Sequence, residues 1–156
     1  MSKFKVADFY YGAVLSMLFN RGIAPALVES NNDRQVYDFT INNGDFRLFM
    51  KYRALGRKGK NPDYRSWQFI FTDDDLNKIY EYIGERRNLL LALVCGDATL
   101  NKSELAIVNS EEIKKCLGSD KNSFTISRIK GEKAFRISIG GGRDNSIKIP
   151  SNRLIG

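Results

Sequence analysis

The chain has no histidine, two cysteines, three prolines and one tryptophan in 156 residues. Without imidazole, the common zinc sites and the histidine-based catalytic triads are excluded. Cys95 and Cys116 form no CxxC pair, which counts against the common zinc sites as well. Cys95 lies in the oily run NLLLALVC and Cys116 near a predicted helix end, so both read as free, buried thiols. Any catalysis would have to use Asp, Glu, Lys, Tyr, Ser or Cys. No apolar stretch reaches the ~20 residues needed to span a bilayer. The N-terminal MSKFKVADFYYGAVLSMLFNRG mixes charge with apolar residues at helical spacing and lacks a small-residue cleavage site. It reads as a mature amphipathic helix, and the absence of a targeting segment points to the cytoplasm.

What is present is ordinary in amount and uneven in placement. Hydrophobic residues make up 42% and charged residues 28%, as in a globular domain with a real core. The net charge is +7. Residues 47–65 carry Arg47, Lys51, Arg53, Arg57, Lys58, Lys60 and Arg65 against Asp63 alone, seven cations less one acid, or +6. A concentrated basic stripe is the electrostatic footprint of a phosphate-bearing or acidic partner; it is also what a solvated loop looks like.

Periodicity predicts a helix over residues 5–21, stopped by Gly22. Strands are expected at Ala26–Glu29, Gln35–Ile41 and Phe46–Ala54. The Gly-, Pro- and Lys-rich ALGRKGKNPDYR (54–65) reads as an exposed, mobile loop. SWQFIF follows as a fourth strand or an extension of the sheet, with Trp67, Phe69 and Phe71 on one side. Tyr64, Arg65 and Trp67 beside the basic loop would also suit base stacking. Thr72 with Asp75 three residues on forms a capping box that opens a helix. Asn88–Cys95 is almost continuously apolar, as expected of a central strand covered on both faces. A short strand at Leu105–Val108 and a helix from Ser110 to Leu117 come next. Strands at Ser123–Ile129, Ala134–Ile139 and Ser146–Ile149 close the chain. The expected class is α/β, with α+β possible, in a single domain spanning 1–156. It comprises an α/β core over 1–120 and a small antiparallel β tail over 121–156.

The segment YDFTINNGDFRLFMKYR (37–53) reads as a hairpin with Asn43-Gly44 as its two-residue turn. Ile41 then faces Phe46, Thr40 faces Arg47 and Asp38 faces Phe49. Alternation places Tyr37, Phe39, Ile41, Phe46, Leu48 and Met50 on a core face, where each large side chain contributes about 1.5–3 kcal/mol. The other face holds Val36, Asp38, Thr40, Arg47, Phe49 and Lys51. Asp38 is then diagonal to both Arg47 and Lys51, within reach of either.

A helix, a three-strand meander, a helix and a further strand resemble the core of the PD-(D/E)XK nucleases. That family carries an acid on its second strand and acid-x-Lys on its third. Asp38 matches the first acid and Lys51 the lysine, while Phe49 stands where the middle acid belongs. Glu29 on the first strand would serve as a migrated acid. The resemblance implies a Mg²⁺-dependent nuclease if two carboxylates survive, and otherwise a nuclease-like module without catalysis, since one carboxylate beside a phenyl ring is a poor octahedral oxygen site. FMKYR, SWQFIF and LLLALVCG are also similar to small bacterial and phage proteins over about residues 5–120.

Three functions follow as expectations. The first is a non-catalytic nuclease-like module that binds DNA or RNA phosphates. Its contacts would come from Arg47, Lys51, Arg53, Arg57, Lys58, Lys60 and Arg65, with Arg143 in the glycine-rich GGGR tip (140–143). The second is a phage- or host-defence-related regulator that engages an acidic protein surface. The third is an active nuclease using Asp38, Glu29 and Lys51 with Mg²⁺. Asp73-Asp74-Asp75 reads as a first-turn acidic cluster suited to a helix dipole rather than to a metal.

Overall fold

In a computed structural model, residues 3–41, 44–85, 88–117, 121–139, 146–151 and 153 are described. They form an α+β domain of three helices and ten strands. Helix α1 (Val6–Asn20) is followed by β1 (Ala26–Ser30), β2 (Gln35–Ile41) and β3 (Gly44–Arg53). A ribbon of β4 (Arg57–Lys58) and β5 (Tyr64–Ile70) leads to α2 (Asp73–Gly84). Then come β6 (Asn88–Cys95), a 3-10 turn (Leu100–Lys102), β7 (Glu104–Val108) and α3 (Ser110–Cys116). The chain closes with β8 (Ser123–Ile129), β9 (Ala134–Ile137) and β10 (Ile147–Pro150).

The strands form two five-stranded sheets, ordered β1-β2-β3-β6-β7 and β10-β9-β8-β5-β4. In the first, β6 runs parallel to β3, with α2 on the crossover, and the other pairs are antiparallel. The second is antiparallel throughout. The expected C-terminal β tail is antiparallel, and its first strand pairs with β5, from Tyr64↔Ile129 to Ile70↔Ser123. SWQFIF is therefore the seam between the two parts of the chain and not an extension of the first sheet.

The layering follows from which residues alternate. One face of the first sheet packs Phe39, Leu48, Met50, Ala92, Val94 and Ile107 against Tyr10, Tyr11, Val14 and Leu18 of α1. Its other face packs Val36, Phe49, Leu91 and Leu93 against Trp67, Phe69, Phe124 and Ile126 of the second sheet, with Ile79 of α2 and Ile113 of α3. Strand β6 is covered on both sides, as its continuous apolar run requires. Gly22 ends α1 at φ +77°, where its N–H reaches Phe19 O at 2.9 Å and the next N–H, of Ile23, reaches Leu18 O at 3.0 Å.

The hairpin register differs from expectation by two residues. Ile41 pairs with Gly44, Phe39 with Phe46, Asp38 with Arg47 and Val36 with Phe49. Gly44, expected in the turn, is instead the first residue of β3 and takes φ +132°, a conformation that side chains disfavour; Asn43, the other expected turn residue, lies outside the described residues. An even shift leaves every side chain on its expected face. It brings Thr40 Oγ1 to donate to Asp45 Oδ1 at 2.7 Å and stacks Phe39 on Phe46 at 5.6 Å between centroids. These cross-strand pairs fix the register against the Asn-Gly turn preference. The second correction concerns the Asp38/Lys51 face. It is covered by the second sheet and α2, which Val36 and Phe49 on it foreshadow.

Candidate functional site

Of the strand residues singled out for chemistry, Arg47 and Lys51 are buried in this covered face and Asp38 and Glu29 are half-buried, and each has a partner. Asp38 sits directly opposite Arg47 and accepts two hydrogen bonds from it, Nε to Oδ1 at 2.7 Å and a terminal guanidinium nitrogen to Oδ2 at 2.8 Å. Arg47 is buried, and its guanidinium also lies 4.5 Å from the Tyr82 ring centroid. Such bidentate geometry is the strong form of the Arg–carboxylate pair, and it holds the Arg47 pKa above its ordinary value.

Lys51 is also buried, and its Nζ donates to Asp75 Oδ2 at 2.6 Å. Asp75 is the last acid of the α2 capping box. The Thr72 N–H donates to its Oδ2 at 3.0 Å, while its own N–H donates to Thr72 Oγ1 at 3.0 Å. Arg34, 1% exposed at the start of β2, completes the group. It donates to Asp75 Oδ1 at 2.7 Å, to Asp74 Oδ2 at 2.8 Å and to Glu29 Oε1 at 2.9 Å. Tyr82 adds its hydroxyl to Glu29 Oε1 at 2.9 Å. Phe49, at the position of the missing motif acid, places its ring centroid 5.6 Å from the Arg34 guanidinium carbon.

Burial pushes the Asp75 carboxyl up, but the hydrogen bonds from Lys51 and Arg34 outweigh it and hold it below its ordinary value. The same contest, with Arg34 and Tyr82 as donors, leaves Glu29 low. Burial, followed by the Glu29 contact, pushes the Tyr82 phenol up to about 12. Three carboxylates thus converge on a guanidinium. Glu29, Asp74 and Asp75 are each already paired with Arg34, Asp75 with Lys51 as well, and Asp38 is paired with Arg47. Among the described residues no group of three or more Asp, Glu, Cys or His side chains is placed to hold a metal. The donor set does not fit the octahedral Mg²⁺ that the nuclease resemblance implies.

The exposed cations lie elsewhere. Arg53 at the end of β3, Arg57 and Lys58 on β4, and Lys60 in the β4–β5 turn are exposed and make no ion pair among the described residues. The segment expected as a loop is a folded ribbon, with Arg57 paired to Ser66 and Lys58 to Arg65. The Lys130 N–H donates to Asp63 O at 3.0 Å and pins the ribbon to the end of β8. Between them runs a groove of about 500 Å³ lined by Arg65, Lys102, Arg128 and Lys130, with Asp63 and Glu104. Arg128 donates to Glu104 at 3.2 Å, and Arg65 is paired with Asp97. Lys102 and Lys130 are exposed. Trp67 is not a stacking platform. It is 3% exposed, and its indole N–H donates to Gly96 O at 2.9 Å.

Of the expected contact residues, the structure gathers Arg53, Arg57, Lys58, Lys60 and Arg65 on and beside the ribbon and buries Arg47 and Lys51. Arg143 lies outside the described residues. Sequence reasoning missed Arg34, Lys102, Arg128 and Lys130. Arg34 follows the polar stretch Asn31-Asn32-Asp33, and nothing local shows that acids from β1 and α2 will surround it. The other three are brought in by the β5–β8 pairing and by the 3-10 turn.

No helix among the described residues is long and apolar enough to cross a membrane. Comparison of the chain with protein families, with curated proteins and with solved structures finds no match.

Proposed function

We propose that this protein is a non-catalytic, nuclease-like module that binds the phosphate backbone of nucleic acid through the β4–β5 ribbon and the adjoining groove. One observation carries the reading. Six exposed cations, Arg53, Arg57, Lys58, Lys60, Lys102 and Lys130, have no carboxylate partner among the described residues, and they are grouped along one ribbon and groove. Unpaired surface cations held close together gain by meeting a polyanion and releasing its counterions. Paired, buried cations such as Arg47 and Lys51 would first have to break their ion pairs.

Support for the nuclease-like frame comes from element order: α1, the β1–β3 meander, α2, then β6 parallel to β3. The β4–β5 ribbon is inserted between the third strand and the second helix. Support for the absence of catalysis comes from the engagement of Asp38, Glu29 and Lys51. A lysine locked on Asp75 and carboxylates locked on arginines are structural groups with no open position for water activation.

The test is fluorescence anisotropy of labelled DNA and RNA across a salt series. Binding at low salt, with log K falling linearly against log salt, is expected. Absence of binding to any nucleic acid at low salt overturns the proposal. Retention of an acidic protein from nuclease-treated lysate in its place supports the protein-partner alternative.

A further inference from the structure

A second cavity lies at the other end of the same basic segment. It has a volume of about 450 Å³, within the ~300–1,000 Å³ span of small-ligand sites. Its walls are the end of β3 with the following residues, the outer part of β5, the β1–β2 turn and Tyr11 of α1. Strand β4 pairs with β5 only at Ser66 and Arg65, so Gln68 to Ile70 flank the opening beyond that ribbon.

Three properties define what the cavity can take. The first is unspent hydrogen-bonding capacity. Tyr11 is 3% exposed, and the accessible part includes its hydroxyl, which makes no hydrogen bond among the described residues and is open to solvent on the cavity side. Asn32 and Gln68 line the same cavity as exposed residues, and their carboxamides, each donor and acceptor, make no hydrogen bond among the described residues. The second is charge. Lys51 and Arg53 line the cavity with Asp33, and Asp75 sits on Lys51. Behind them Arg34 faces Glu29 and Asp74. Three cations therefore meet four carboxylates, a balance that disfavours a buried anion. The third is apolar rim. Leu55 and Ile70 are 62% and 55% exposed. Leu55 lines the cavity together with Arg53, and Arg57, the first cation of the ribbon, lies two residues beyond Leu55 in the chain.

A neutral, planar, hydrogen-bonding group matches the interior, and a phosphate on either side of it matches Arg53 and Arg57. We infer that this cavity receives an unpaired base of a single strand whose phosphates run along the ribbon. The inference rests on the nucleic-acid reading above and sharpens it to single-stranded substrate. A duplex keeps its bases stacked and paired and cannot fill the cavity without extruding one.

The test uses the full chain and three labelled probes: a single-stranded oligothymidylate, the same strand with abasic positions, and a duplex of equal length. Two variants are compared, Tyr11→Phe, which removes only the unspent hydroxyl, and the exposed Leu55→Ser. The wild type is expected to bind the base-bearing strand more tightly than the abasic strand or the duplex. Each variant should lose about two- to tenfold on the base-bearing strand, the size of one hydrogen bond or a small apolar contact. Neither should change on the duplex or the abasic strand. Equal wild-type affinity for base-bearing and abasic strands overturns the base pocket while leaving backbone binding intact. Unchanged single-strand affinity in both variants does the same. Failure of the wild type to bind any of the three probes at low salt overturns both proposals together.

Discussion

Lys51 donates to Asp75 at 2.6 Å, whereas Asp38 is held by Arg47 at 2.7 Å. The acid and the lysine that would make a nuclease pair on neighbouring strands thus belong to two separate ion pairs. Asp75 arrives from the first turn of α2 and shares its carboxylate among Lys51, Arg34 and the Thr72 backbone. The strand face that carries a motif in one-dimensional view is, in the fold, a buried interlock between the first sheet and a helix N-terminus.

Removing the shared carboxylate should be severe. Asp75→Ala leaves Lys51 and Arg34 buried, with one partner lost and the other weakened. We expect a loss of about 3–5 kcal/mol, as for other buried pairs broken from one side. Lys51→Met should cost less, since Arg34 still holds Asp75. Urea denaturation of the two variants checks the order. A loss under about 1 kcal/mol for Asp75→Ala would mean that the interlock contributes little.

Stability should fall on acidification, and the same group accounts for it. Asp75 and Glu29 have carboxyls held below their ordinary values. Their contribution is complete above the unfolded carboxyl range near about pH 4 and is lost as pH falls through the lowered folded values. Asp75→Asn should flatten that acid limb. The urea midpoint followed from about pH 6 to about pH 2 gives the comparison, and parallel curves for variant and wild type would assign the acid sensitivity elsewhere.

Much of this fold was legible in the sequence. The strands at Gln35–Ile41, Asn88–Cys95 and Ser123–Ile129 emerge with the expected limits, because clean alternation or an unbroken apolar run defines them. The Thr72/Asp75 capping box was visible for the same local reason. The second sheet was not, since β5 and β8 are joined only by a pairing far apart in the chain. Nor was the burial of Arg34, a polar residue in a polar turn, which depends on Glu29, Asp74 and Asp75 meeting in space. Asp75 itself was half read. The cap was seen, and the lysine it holds across the sheet was not.

The end of β3 should be intolerant of bulk at Gly96. Its N–H donates to Arg53 O at 2.8 Å, and an added Cβ would stand 2.3 Å from Ala54 O and 2.7 Å from Arg53 O. Both are backbone atoms, which cannot swing aside as a side chain can. Gly96→Ala is expected to cost about 1–3 kcal/mol through overpacking. It should also displace Arg53 and Leu55, so single-strand affinity should fall with it. Thermal unfolding reads the first effect, and an unchanged Tm would contradict the close approach.

Both thiols should be silent in the native protein. Cys95 and Cys116 are buried, and burial pushes each thiol up, that of Cys116 to about 12. Little thiolate is available, and a reagent cannot reach it. A chromogenic disulfide at mildly alkaline pH should react only as fast as the chain opens, then completely in denaturant. Prompt reaction of either thiol without denaturant would contradict its burial.

The central claim separates two sets of cations: buried ones that hold the fold and exposed ones that bind. The measurement that tests it most directly is nucleic-acid affinity at low salt for two variants, Lys51→Met and the triple change Arg57→Glu, Lys58→Glu and Lys60→Glu, with stability followed in parallel. The triple variant should keep its Tm and lose most of its affinity, with a shallower salt slope. Lys51→Met should lose stability and, while folded, keep its affinity for duplex, whose bases do not enter the cavity that Lys51 lines, and the salt slope of that binding. A Lys51→Met protein that is stable but no longer binds, or a triple variant that binds as the wild type does, would contradict the account.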